Sequence, residues 1–170
     1  MKRPESIEYA PYYDNYISLI DGDDVLSVLD AQLLSFRSLF SNFAEEKGLY
    51  RYAAGKWTCK ESLSHVIETE RIFGYRLLRV SRGDTTPMEG YEQNDYVVTS
   101  NANNRTFLDL LNEFEHQRRA NLILINSLTE EATTRIGTAS GNPVSARALV
   151  YMIAGHVRHH ERIFAEQYLA

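Results

Sequence analysis

Apolar residues recur at three- and four-residue steps in four long stretches of this chain, separated by segments rich in Gly, Asn, Pro, Ser and Thr. From about Asp23 to Lys47, Leu26, Leu29, Leu33, Phe36 and Phe40 make one stripe, and Gly48 closes the helix that they predict. The second helix, residues 58–80, opens on Thr58-Cys59-Lys60-Glu61, a capping box in which each side chain satisfies a free N–H of the first turn. The third spans about residues 104–128, with Phe107, Leu110, Leu111, Phe114, Leu122 and Ile125 inward and the charged EHQRR run mostly outward. Asn142-Pro143 offers an N-cap followed by proline at the first helical position, so the fourth helix is expected over residues 143–169. Ser81 to Val98 is too polar for a helix interior and longer than a simple turn, which predicts a crossover between helices 2 and 3. The pattern predicts an all-α four-helix bundle with one long connection, forming a single domain over residues 1–170 with residues 1–20 as an N-terminal extension.

Composition narrows the picture. The chain has 170 residues, 44% of them hydrophobic, enough to bury one core without covalent staples. The single cysteine, Cys59, excludes an intrachain disulfide and suits a reducing compartment, with the cytoplasm as the expected location. No stretch is apolar for long enough to cross a membrane. The formal charge of -5 and the absence of a clustered basic face argue against a nucleic-acid partner.

The segment AGHVRHHERIF carries the most chemistry. At about 100° per residue, His160 shares its face with Leu149, Ile153, Phe164 and Gln167, and His156 lies about 40° to its other side. Both therefore face the core, whereas His159 sits on the flank and Arg158 and Arg162 point away. Two imidazoles one turn apart can converge on a single ion, because side chains at i and i+4 stack along the helix. The alternative, two core histidines with their own hydrogen-bond partners, stays open on spacing alone. His65 is set among Leu63, Val66 and Ile67 but falls about 100° from the centre of its stripe, so periodicity does not select it. Glu70 lies closer to that centre, as a metal ligand, a neighbour of one, or the partner of a buried arginine. His116, in the polar EFEHQRR run, is expected to be exposed.

The run GKWTCKESLSHVIETERIFGYRLLRVSRGDTTPMEGYEQNDYV, together with NPVSARALVYMIAGHVRHHERIF, resembles the DinB-like superfamily with its YfiT-type members, over roughly Tyr50 to Phe164. The resemblance implies a four-helix bundle of up-down-down-up order. It also implies a divalent metal held by one histidine of the second helix and two spaced by four on the last, which here are His65, His156 and His160. The ion's identity is open among zinc, nickel, iron and manganese, since imidazole suits several.

Three imidazoles would leave an ion with free positions for a substrate. The relatives implied by the resemblance join bacillithiol, mycothiol or glutathione to an electrophile. The expected function is therefore a metal-dependent thiol S-transferase with a small-molecule thiol and electrophile as partners. A metal-dependent hydrolase, or a stress-related metal-binding protein without turnover, are the alternatives. His159 and Glu70 are candidates for a general base, each with a structural role as its alternative, and Cys59 is expected to be a buried thiol rather than a nucleophile. A homodimer is compatible with the sequence.

Overall fold

The computed structural model describes residues 1–170. Its elements in chain order are α1 (Asp14–Ile17), α2 (Val25–Leu39), α3 (Cys59–Ser81), α4 (Gln93–Thr99), α5 (Phe107–Asn126), α6 (Glu130–Thr134), the strands β1 (Ile136–Ala139) and β2 (Asn142–Ser145), and α7 (Ala146–Ile163). The bundle consists of α2, α3, α5 and α7. None of its helices is long and apolar enough to cross a membrane.

Contacts at one end establish the helix directions. Glu45, just beyond α2, accepts from the Phe107 N–H and pairs with Lys60 at 2.6 Å, so α2 ends where α3 and α5 both begin. The Tyr168 hydroxyl beyond α7 donates to the Trp57 carbonyl at 2.9 Å, which brings the end of α7 to the same place. The helices therefore run up, down, down, up. Two parallel neighbours, α3 and α5, require the long crossover that the sequence predicts.

The capping box forms as expected: Glu61 N–H donates to Thr58 Oγ1 at 3.0 Å and Thr58 N–H to Glu61 Oε2 at 2.8 Å. Several boundaries differ. The first helix stops at Leu39, and Gly48 lies in a separate tight turn against the stem of Lys60, where a Cβ would overlap that side chain. Asn142 and Pro143 do not cap the last helix. They pair with Ala139 and Thr138 in an antiparallel hairpin, where a two-stranded edge tolerates the missing proline N–H. Ser145 is the actual cap, its hydroxyl accepting from the Ala148 N–H at 3.0 Å. After Ile163 a wider π-type turn, Phe164–Tyr168, shifts the register, so Tyr168 is buried and Gln167 exposed.

The apolar core is divided. One part surrounds Leu29, Phe73, Leu77, Leu122 and Leu149, the other Phe36, Leu63, Val66, Phe114 and Phe164. Between them lies a polar layer. Arg118, fully buried rather than outward, donates from Nε and Nη2 to both oxygens of Glu70 at 2.7 and 2.9 Å. Its Nη1 reaches the Leu29 carbonyl at 3.1 Å and Gln32 Oε1 at 2.8 Å. Asn121 Nδ2 adds a bond to Glu70 at 3.2 Å, and Gln32 Nε2 donates to the Ala154 carbonyl at 2.8 Å. All four bundle helices are thereby joined through one hydrogen-bonded network, on the level where the histidines sit.

Candidate metal centre

α3 supplies His65 and α7 supplies His156 and His160, and all three are buried. One candidate ligand atom from each lies within 4.8 Å of the other two. His65 Nε2 and His156 Nε2 approach to 3.2 Å, and the His156 and His160 rings lie 4.5 Å apart between centroids, as one helical turn allows. His65 reaches the group although it lies off the centre of its helix's apolar stripe. The deviation is explained by what shares that face: His65, Thr69 and Arg76 line a cavity at the edge of the dry core, with Phe73 bordering both.

Protein partners around the triad are sparse. Thr69 Oγ1 lies 3.5 Å from His65 Nδ1 and bonds the Tyr91 hydroxyl at 2.9 Å. The Trp57 ring lies tilted beside His65 and the Tyr16 ring meets His156 edge-on, at 4.8 and 5.2 Å between centroids. Nδ1 of His160 is buried with no hydrogen-bond partner. A set of purely structural histidines would be expected to have such atoms satisfied. Burial, with the nearby His159, pushes His65 down to about 4, and burial with the neighbouring imidazoles holds His156 and His160 well below the ordinary histidine range. All three are neutral at pH 7 and keep a lone pair for coordination. The donor set and the unpartnered nitrogen thus fit a divalent metal ion.

Two cavities meet the triad. One, of about 370 Å³, is reached by His65 and His156 and is walled by Tyr12, Tyr13, Tyr16 and Tyr91. The other, of about 240 Å³, lies on the His160 side, between Trp57, Tyr52 and Tyr168. The crossover forms part of the first wall through residues 90–93. The N-terminal segment is more than an extension: α1 packs on α7, and a Cβ on Gly155 would overlap the Tyr16 carbonyl.

The fold is recognisable by sequence as well. Residues 29–163 match the family model of the DinB superfamily. The chain belongs to the DinB superfamily. No curated protein sequence matches it. Among solved structures, this DinB protein is similar to Bacillus subtilis YfiT, described as "a probable metal-dependent hydrolase with an unusual four-helix bundle topology", with a TM-score of 0.75 at 13% identity, covering 96% of this chain and 90% of that one. It is also similar to a mycothiol-dependent maleylpyruvate isomerase, with a TM-score of 0.69 at 17% identity, covering 86% of this chain and 61% of that one. At these identities the likeness establishes the shared fold.

The remaining sequence candidates are distributed as follows. Glu70 has both oxygens engaged by Arg118 and Asn121, in keeping with the structural role that the sequence left open as its alternative. His159 is half-buried on the flank, its ring 5.5 Å from Tyr16, with its pKa lowered by burial and by Arg162. His116 is exposed. Cys59 is fully buried, and burial pushes its thiol up to about 12. Sequence reasoning missed Arg76 and the three N-terminal tyrosines. The first was accessible through spacing, since Arg76 follows His65 by eleven residues and so returns to its face; nothing local marked the tyrosines.

Proposed function

We propose that His65, His156 and His160 bind one divalent metal ion and that this DinB protein uses it to transfer a low-molecular-weight thiol to a small electrophile. The observation that carries the reading is the convergence of three buried, neutral imidazoles, one with an unpartnered nitrogen, beside a cavity of ligand size. Bound there, the ion would lower the pKa of a coordinated thiol or water and supply its anion at neutral pH. The chain's own residues set the surroundings. Thr69, bonded to Tyr91, orients His65, the tyrosines wall the cavity beside it, and His159, on the flank next to His160, is the candidate proton acceptor. Cys59 has no part in the chemistry, because its thiol is protonated and sealed in the core.

Hydrolysis is the second reading, favoured by the cavity's polar lining and by the description of YfiT. Elemental analysis of protein purified without a metal-affinity tag should find one divalent ion per chain, lost in His156→Ala and His160→Ala. Metal content unchanged in both variants would overturn the proposal. Loaded protein assayed with bacillithiol, mycothiol or glutathione and a chromogenic electrophile should transfer the thiol, and Cys59→Ala should keep that activity. Turnover of an ester or amide without any thiol would favour the hydrolase.

A further inference from the structure

Three arginines are buried in this chain, Arg76, Arg118 and Arg147, with 3%, 0% and 8% of their surface exposed. Two have a carboxylate beside them: Arg118 pairs with Glu70 and Arg147 with Glu8. Arg76 has none. Its Nη2 donates only to the Glu89 carbonyl at 2.8 Å and to Ser140 Oγ at 3.2 Å. A buried guanidinium that meets only neutral acceptors loses hydration without regaining a counter-charge. The one carboxylate in the cavity lining, Glu92, is exposed and caps α4, accepting from the N–H and side chain of Asn94 at 3.0 Å.

The position of Arg76 gives this deficit a direction. It lines the same 370 Å³ cavity as His65 and His156. His65, Thr69, Phe73 and Arg76 follow at steps of four, four and three, so a single face of α3 runs from the triad to the guanidinium, about 16 Å along the axis at 1.5 Å per residue. Helical side chains lean toward the N-terminus, which brings the guanidinium back toward the triad.

The hairpin tip is built to hold it. Ser140 and Gly141 form the turn between β1 and β2 with φ of 51° and 76°. A serine in this left-handed region carries backbone strain that Gly or Asn would avoid. Its hydroxyl is the atom that Arg76 reaches. The turn is pinned in place, because Ser140 N–H donates to the Met88 carbonyl and Met88 N–H to the Thr138 carbonyl, both at 2.9 Å.

We propose that Arg76 anchors a carboxylate of the ligand, so that the tyrosine-walled cavity takes a small carboxylate-bearing molecule with its other end at the histidine triad. A planar guanidinium matches a carboxylate in a two-bonded fork, and the ligand would supply the missing counter-charge. Carboxylate binding stands on the cavity alone; the orientation toward the triad rests on the metal reading above.

The test is calorimetric titration of the full-length wild-type protein, metal-free and zinc-loaded, with succinate and with its neutral diamide, succinamide. Succinate should bind both forms saturably, and succinamide should bind at least about ten-fold more weakly, roughly the effect of one lost charge-assisted hydrogen bond. Arg76→Gln should weaken succinate by a similar factor or more, Arg76→Lys should fall between, and zinc stoichiometry should not change in either. Equal binding of succinate and succinamide, or no succinate binding to the metal-free wild type, would overturn the proposal without any variant having to fold. Succinate binding to the zinc-loaded form alone would make the anion a metal ligand and refute the role of Arg76 while leaving the metal reading intact. Succinate binding without any zinc binding would do the reverse.

Discussion

Replacing Arg118 by methionine tests the polar layer most directly. The guanidinium is fully buried and makes four hydrogen bonds, two to Glu70, one to the Leu29 carbonyl and one to Gln32. Methionine fills much of the same volume but leaves the Glu70 carboxylate, 1% exposed, with only the Asn121 amide. Removing one member of a buried ion pair costs about 3–5 kcal/mol, because the survivor is left charged and dry. For a domain of this length, about 2–4 °C of Tm is lost per kcal/mol, so the variant should melt about 6–20 °C lower. Urea unfolding of the metal-free protein, followed by far-ultraviolet circular dichroism, gives the free energy directly. The double variant Glu70→Leu/Arg118→Met removes both charges and should recover most of the loss. A single-variant cost under about 1 kcal/mol would refute the reasoning. So would a double variant no more stable than the single one, since the penalty would then not come from an abandoned carboxylate.

Two further outcomes follow from the site's surroundings. Gly155→Ala places a methyl against the Tyr16 carbonyl and should destabilise by about 1–3 kcal/mol through overpacking, more than the ~1 kcal/mol that alanine gains over glycine inside a helix; an unchanged or raised Tm would show that α1 does not dock closely on α7. The unfolded chain takes up protons on these histidines near their ordinary value of 6.5, whereas the folded His65 does so only near about 4, and burial holds His156 and His160 well below the ordinary value too. Their contribution to stability is therefore complete above about pH 6.5 and is lost as pH falls toward about 4, so the metal-free protein should melt lower at about pH 5 than at about pH 7.5, and an equal or higher Tm at the acidic value would contradict the burial argument.

Much of the architecture was legible in one dimension. The stripes of Leu29, Phe36, Phe73 and Phe114 and the Thr58–Glu61 box are local signals, set by helical period and by the need to satisfy first-turn N–H groups, and they located the bundle helices and the crossover. The pairing of His156 with His160 was also local, a property of one helical turn, and family resemblance brought in His65 where the helical wheel did not. Other features depend on groups far apart in sequence. Asn142-Pro143 reads as a helix start, and pairing with Ala139 and Thr138 made it a strand. Arg118 reads as surface charge within EHQRR, and Glu70 on another helix, with Gln32 on a third, supplied the partners that let it be buried. Arg76 has no such carboxylate; its eleven-residue spacing from His65 puts it on that helix face, but nothing in the chain marks it as a buried charge without a partner. Periodicity reports which face of an element is covered; the chemistry of a covered charge depends on what stands opposite it, and only the packing of α2, α3, α5, α7, the crossover and the hairpin tip brought those groups together.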